Sequence, residues 1–384
     1  MKQIHIFTLF VTAKSFFDGQ FNYLSGEGND ILLISSPDVE AQEFAEKNNI
    51  RFVPVEMPRA LSPITIFKAI LKLSKIISKE KPNAVFGHTP VGALCAMLAS
   101  KMCGVRNRIY YRHGLIYTTM SGFKFSIFKC EEKIVSSLAT GIINVSHSLS
   151  RLAIRDNLNS ADKQYVIGHG TCGGIDATNL FNPKLLSATK IKDLRNKLGI
   201  EDSTIVYGFC GRICVDKGVP EMVDGFIKLK KTNCQISSKL ILIGPLDTRD
   251  FLPSKTKQTI DNDEDIIVTG WIDKEDIQYY YSILDVFVFP SHREGFGMSV
   301  IEASAMEKPI LVSHVHGCED TIVEHVTGEY VDLTSDSIYR GMEQMLDSNL
   351  REKLGKQGRQ IVLERFDQSV MWPQISNLYS RILK

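Results

Sequence analysis

The sequence predicts two α/β domains, each built on a parallel sheet, and three observations carry that prediction. The chain has 384 residues, more than one hydrophobic core usually serves. Apolar runs of strand length alternate with helix-like stretches along its length, the pattern of parallel strands joined by helical crossovers. Glycine-containing turns follow several of these runs directly, and open parallel sheets bind ligands there, at the carboxyl ends of their strands.

In the first half the expected strands are residues 4–11, 30–35, 84–86, 108–111, 141–145 and 164–167. Ser62 and Pro63 read as the N-cap and first residue of a long helix. In the second half, strands are expected at 204–210, 239–245, 266–271, 285–290 and 309–312, with helices at 220–231, 274–284 and 298–306. The domain boundary is placed at 180/181. This gives an N-terminal domain of residues 1–180, a C-terminal domain of 181–368, and a final helix, 369–384, that packs back on the first domain.

Composition excludes several classes. Hydrophobic residues make up 43% and the formal net charge is +1, as in an ordinary soluble globular protein. The eight cysteines show no Cys-x-x-Cys pair and several sit in apolar runs, which reads as reduced core thiols of a cytoplasmic protein. No stretch approaches the roughly 18 apolar residues that cross a bilayer. Residues 4–13 contain His5 and lack a small-residue cleavage site, so they read as a strand and not a signal sequence.

Two segments carry the chemistry. After the apolar run 285–290 comes Glu294-Gly-Phe-Gly-Met-Ser-Val-Ile-Glu302. A glycine turn between strand and helix aims backbone N–H groups and a helix N-terminus at one place, which suits a phosphate. The flanking carboxylates, Glu294 and Glu302, would be unfavourable beside an anion unless they bind something else, such as sugar hydroxyls. After the run 204–210 comes Gly211-Arg212-Ile-Cys-Val-Asp-Lys217-Gly218. Arg supplies a planar fork of donors and Lys a compact charge, both suited to a diphosphate. They act most strongly where charge develops in a transition state.

Together these segments resemble the family-4 retaining glycosyltransferases (glycosyl transferases group 1), whose fold is GT-B: two Rossmann-like parallel-sheet domains facing a cleft. The resemblance spans nearly the whole chain. It implies that Glu294 meets the transferred sugar, that the backbone of Gly295, Phe296 and Gly297 meets the diphosphate, and that Glu302 grips the nucleotide ribose. Arg212 and Lys217 would neutralise the leaving diphosphate. Gly244, Trp271, Met298 and Ser299 complete the donor set of the second domain. Thr327-Gly-Glu-Tyr-Val331 matches a further element of the family. In the first domain, His113, in Tyr110-Tyr-Arg-His-Gly114, falls where the family has His-Gly and would lie over the transferred sugar. Gly19, in Phe17-Asp-Gly-Gln20, resembles the family's glycine turn, though the family more often has two glycines there. Glu132 resembles a family position too, without an assigned role. His314 and His316 show no third metal ligand and read as loop residues near the donor. No convincing Asp-x-Asp metal site follows a strand end, so no metal and no cofactor is expected beyond the nucleotide sugar itself.

Charge adds a separate signal. Residues 51–129 hold thirteen Lys or Arg against only Glu56 and Glu80, in a chain that is almost neutral. Lys68, Lys72, Lys75 and Lys79 share one stripe of the expected helix, with Ile66, Ile70, Leu73 and Ile77 on the opposite side. The stripe is either a solvated face or a surface for anionic lipid or a lipid-linked pyrophosphate. The aromatic and basic segment 123–129 would strengthen such a contact, giving a cytoplasmic protein peripheral on the inner face of the membrane. Nucleic acid is not an expected partner. The expected activity is retaining transfer of a hexose or N-acetylhexosamine from a nucleotide sugar, UDP by family frequency, to a glycan acceptor linked to polyprenyl diphosphate. The alternatives are a sugar-nucleotide epimerase or hydrolase of the same fold, or a non-catalytic nucleotide-sugar-binding subunit.

Overall fold

The computed structural model of the chain describes residues 1–58 and 62–383; Arg59, one of the thirteen cations, lies outside them. The chain divides into two compact units, residues 1–174 with 369–384, and residues 175–368.

The first unit has a seven-stranded sheet. Its strands are β1 (Lys2–Ile6), β2 (Asp30–Ser35), β3 (Arg51–Pro54), β4 (Ala84–His88), β5 (Asn107–Arg112), β6 (Gly141–Asn144) and β7 (Gln164–Val166). The order is β3-β2-β1-β4-β5-β6-β7, and every pairing is parallel. The chain winds outward from β1 in one direction and from β4 in the other, so the switch point lies between β1 and β4. Their near-continuous apolar sequences follow from burial on both faces. Ile4, Ile6, Leu32, Ile34 and Val85 pack with Ala69, Leu73 and Ile77 of the helix Pro63–Glu80 and with Ala93, Ala96 and Met97 of the helix Pro90–Met102.

Two expectations change here. The strand expected over 4–11 ends at Ile6, and Phe10–Phe17 is a helix that buries Phe10, Ala13 and Phe17. Those three recur at helical spacing, but a mostly apolar stretch hides where the period of two gives way to 3.6. The edge strand β3 was not expected: its residues are only half-buried or exposed, so it carries no apolar run.

The final helix Gln368–Ile382 belongs to this unit. Its Tyr379 ring lies 4.7 Å from Phe86, and Trp372 stands against Tyr23 at 5.5 Å.

The second unit has a six-stranded sheet of β8 (Ile205–Cys210), β9 (Ser238–Ile243), β10 (Ile266–Gly270), β11 (Val286–Phe289), β12 (Ile310–Ser313) and β13 (Gly328–Val331). The order β10-β9-β8-β11-β12-β13 is again wholly parallel. Its switch point lies between β8 and β11, where Val286 pairs with Tyr207 and Phe287 with Gly208. The expected helix 220–231 runs Val219–Thr232. The one expected over 274–284 shortens to Ile277–Ser282. Among the described residues no helix is long and apolar enough to cross a membrane.

Candidate active site

Because β8 and β11 are neighbours, the two segments singled out in the second half of the sequence leave the sheet side by side at its carboxyl edge. Asp216 ties them together. Its backbone carbonyl accepts from the His292 N–H at 2.9 Å, and its carboxylate accepts from Arg293 Nη2 at 2.8 Å. Its own N–H donates to Asp250 Oδ2 at 2.7 Å. Gly218 then turns the chain with φ +69°, and a Cβ there would collide with the Pro290 carbonyl oxygen at 1.9 Å. Only glycine permits this approach without strain.

The stitching delivers Lys217 to Glu294. The ammonium Nζ and carboxylate Oε1 form an ion pair in which both side chains are largely buried. The same ammonium lies 5.4 Å from the Phe289 ring centroid. Arg212 pairs with the buried carboxylate of Asp247, and Arg249 also reaches that carboxylate, at 3.5 Å. Burial works to raise the Asp247 carboxyl, but bonds from the Arg249 backbone and from Arg212 hold it below the usual range.

Glu302 lies on the helix Met298–Ala305, whose N-cap is Gly297. The Tyr281 hydroxyl donates to Glu302 Oε2 at 2.7 Å. Burial raises this carboxyl above its ordinary range, against the Tyr281 bond and the Lys274 charge. Phe296 is buried, its ring 5.5 Å from Phe366, so this side chain anchors the Gly295–Gly297 turn. Gly317 closes the turn from another side: at φ +84°, a Cβ would meet the carbonyl oxygens of Glu294 and Gly295 at 2.6 and 2.7 Å. The flanking His314 and His316 approach Glu319 at 3.6 and 3.9 Å.

Gly244 joins this edge, its backbone pressed against that of Gly211. Trp271 stands apart: β10 is the sheet's edge, two strands from β8, and the indole is 73% exposed with its Nε1 donating to Asp273 at 3.2 Å.

In the first unit His113 follows β5 and is half-buried. Its Nε2 lies 3.0 Å from His88 Nδ1 and its Nδ1 3.3 Å from the Cys172 sulfur. Burial lowers its pKa to about 3. Gly19 does not directly follow the first strand, since the helix Phe10–Phe17 intervenes. Its N–H donates to Asn48 Oδ1 at 2.8 Å, and the Trp372 indole covers it at 3.1 Å from a would-be Cβ.

Comparisons with known proteins establish the family and the fold. The family model described as Glycosyl transferases group 1 matches residues 190–361, and that described as Glycosyl transferase 4-like matches residues 6–147. The chain is 31% identical over 388 residues to the capsular polysaccharide biosynthesis glycosyltransferase CapM of Staphylococcus aureus, covering 100% of this chain and 99% of the relative. The chain belongs to the group 1 glycosyl transferases. A UDP-Gal:alpha-D-GlcNAc-diphosphoundecaprenol alpha-1,3-galactosyltransferase of Escherichia coli is 22% identical over 94% of this chain and 91% of its own. Among solved structures, Anabaena HepE in complex with UDP-glucose superposes with a TM-score of 0.81 at 18% identity, covering 99% of this chain and 100% of that one. The fold is thus GT-B, two parallel-sheet α/β units.

Within this group 1 glycosyl transferase, sequence reasoning missed Asp216, Asp247, Tyr281, Arg293 and Gly317. Each acts through a residue distant in sequence, so no local pattern marks it. The nearest to a signal is Arg293, a cation immediately before Glu294.

Proposed function

We propose that this glycosyltransferase moves a hexose or N-acetylhexosamine from a UDP-sugar, with retention of anomeric configuration and without a divalent metal, to a glycan acceptor carried on polyprenyl diphosphate in the assembly of a bacterial surface polysaccharide. The observation that carries this reading is the meeting of Lys217 with Glu294 at the switch point between β8 and β11, on the same strand-end segment as Arg212. One cation and one carboxylate held together can address the two halves of a nucleotide sugar at the bond between them, phosphate on one side and sugar hydroxyl on the other. Glu302, bonded by Tyr281, takes the ribose hydroxyls. CapM and the Escherichia coli galactosyltransferase, whose name specifies a diphosphoundecaprenol acceptor, support the setting.

In the proposed reaction the bond from the anomeric carbon to the β-phosphate oxygen breaks as the acceptor hydroxyl attacks on the same face. The departing phosphate oxygen takes the acceptor's proton. Arg212 and Lys217 stabilise the two charges left on UDP, the place where fixed cations contribute most. A diphosphate entering the site competes with Asp247 and Glu294 for these cations.

The test is a donor screen by thermal shift across UDP-, GDP- and dTDP-sugars, followed by product analysis with the best donor. A ligand that binds the folded state raises its stability by RT ln(1 + [L]/Kd). UDP-sugars should give the largest shift, and the product should retain the donor's configuration with activity unchanged by EDTA. A larger shift from GDP-sugars, inversion, or loss in EDTA with rescue by magnesium would overturn the respective part.

The membrane completes the reading. On the helix Pro63–Glu80 the four lysines, Lys68, Lys72, Lys75 and Lys79, are all exposed, and beside them Ile64, Phe67 and Leu71 are exposed as well. Phe123 stands 81% exposed at the start of the helix Gly122–Leu138. Basic and apolar side chains presented together suit the interface of an anionic bilayer, where a polyprenyl-linked acceptor resides.

A further inference from the structure

The first unit's own switch point holds three histidines in a row. His5 is on β1, His88 ends β4, and His113 follows β5. Parallel registers align them, with His5 opposite Phe86 and His88 opposite Tyr111. His5 Nδ1 lies 3.1 Å from His88 Nε2, and His88 Nδ1 lies 3.0 Å from His113 Nε2. At one end His5 Nε2 is 3.3 Å from Gln3 Oε1. At the other, His113 Nδ1 is 3.3 Å from the Cys172 sulfur. His5 and His88 have no exposed surface.

A run of imidazoles has two possible directions, and the anchor decides between them. Asn29 Nδ2 donates to the Leu24 backbone carbonyl at 2.8 Å, a group that can only accept. Asn29 Oδ1 is therefore the acceptor, and the N-terminal ammonium, which can only donate, also approaches it, at 3.4 Å. Gln3 Nε2 must then donate to it, at 2.9 Å, which leaves Gln3 Oε1 to accept from His5 Nε2–H. Each neutral imidazole has one donor and one acceptor nitrogen, so the assignment propagates. His88 Nε2–H donates to His5 Nδ1, and His113 Nε2–H donates to His88 Nδ1. His113 Nδ1 is left with a lone pair, toward which the Cys172 thiol donates. Burial pushes that thiol's pKa up, which keeps it a donor. The Tyr111 hydroxyl fixes the Cys172 backbone at 2.8 Å.

The surroundings suit neutral rings. Phe86 stacks on His5 at 4.3 Å and Phe7 on His88 at 3.9 Å, while Phe17 meets both and Tyr111 stacks on His113.

We infer that Gln3, His5 and His88 are positioning residues that hold His113 as the neutral Nε2–H tautomer, so that His113 meets its ligand as a hydrogen-bond acceptor at Nδ1. The ligand chemistry this selects is a donating hydroxyl, which displaces the Cys172 thiol. His113 is then neither an acid nor a cation beside the sugar. The inference rests on the proposed transferase reading for the identity of that hydroxyl as a sugar's, but not for the tautomer.

Long-range 15N–1H correlation spectra of the full chain, labelled at histidine, test it directly. His113 should show an unprotonated Nδ1 and a protonated Nε2 at pH 7. His88→Leu removes the acceptor and should mix the His113 tautomers, lowering kcat about tenfold, the equivalent of one hydrogen bond, with UDP affinity unchanged. His88→Asn offers an oxygen acceptor and should restore both the tautomer and most of kcat. A protonated Nδ1 or an imidazolium in the wild type at pH 7 would overturn the inference, as would His88→Leu with wild-type tautomer and kcat. Should His88→Leu fail to fold, the wild-type spectrum and His88→Asn decide. If no nucleotide sugar supports transfer, the proposed function falls while the tautomer measurement still stands or falls by itself.

Discussion

Lys217 and Glu294 are 77 positions apart, and their ion pair changes what each variant should do. Removing a cation that stabilises a leaving diphosphate costs turnover on the order of 10²–10³-fold, so Arg212→Ala and Lys217→Ala should each fall in that range. Steady-state kinetics would show it, and full activity in both variants would remove the leaving-group assignment. Glu294→Gln releases Lys217 from its partner, so UDP affinity should hold or rise while transfer collapses. Glu302→Gln should instead weaken UDP itself by about ten- to a hundredfold, the worth of a charged hydrogen bond. Calorimetric titration with UDP separates the two, and equal loss of affinity in both would erase the division of labour. The glutamates, Arg212 and Lys217 were legible because they sit in compact motifs next to strand ends. Their partners were not: Asp247 and Tyr281 belong to other strand–helix units, and nothing local marks a residue whose function is to bond one far away.

At the scale of elements, apolar runs identified every central strand of both sheets, because a strand covered on both faces has few polar positions to break it. The misses have the same origin. In the stretch 4–11 mostly apolar sequence continues past the end of the strand into the helix Phe10–Phe17, and edge strand β3 has no run at all. The helix Pro63–Glu80 was legible in its buried side, Ile70, Leu73 and Ile77, and in its exposed lysines, but not in its exposed Ile64, Phe67 and Leu71, since a linear sequence does not say which apolar residues find a partner. Those three sharpen the membrane prediction. Changing Lys68, Lys72, Lys75 and Lys79 together to Glu should release the protein from anionic vesicles in flotation, and slow transfer to a lipid-linked acceptor but not to a short soluble one. Changing Ile64, Phe67 and Leu71 to Ser should weaken binding in a way that added salt does not mimic, because burial of apolar surface is not screened. Wild-type protein that stays in the soluble fraction at low salt would leave the helix as a solvated face.

At the scale of the whole molecule, the two units differ in their buried titratable groups, and this predicts an order of unfolding in acid. His5, His88 and His113 all lie in the first unit. Burial lowers the pKa of His5 and of His113 to about 3, and that of His88 well below its ordinary value, with the neighbouring His113 and His5 adding to the effect. Unfolded, each histidine titrates near 6.5. Between pH 6.5 and about 3 the unfolded chain therefore binds more protons than the folded one, and stability falls as pH falls. The slope is about 1.4 kcal/mol per pH unit for each histidine that stays neutral. Glu131 has the opposite sense: burial, reinforced by the adjacent Glu132, raises its carboxyl to about 7, so its contribution, full below the ordinary glutamate range, is lost as pH climbs from there to about 7. The three histidines outweigh this one carboxyl between about pH 4 and 7, so the stability of the first unit should rise from acid and level off above about pH 7. In the second unit the carboxyls held low, Asp247 and Asp265, keep their contribution above the ordinary aspartate range near 4 and lose it only below that. Scanning calorimetry from pH 7 to 5 should thus split into two transitions, as chains with separate cores permit, and the one that moves down steeply should belong to the first unit. Proteolysis at pH 5 just above the first transition should cut within residues 1–174 while sparing 175–368. A single transition that shifts by less than one histidine's slope would mean that the three imidazoles are charged in the folded protein, and the hydrogen-bonded run that requires them neutral would go with it.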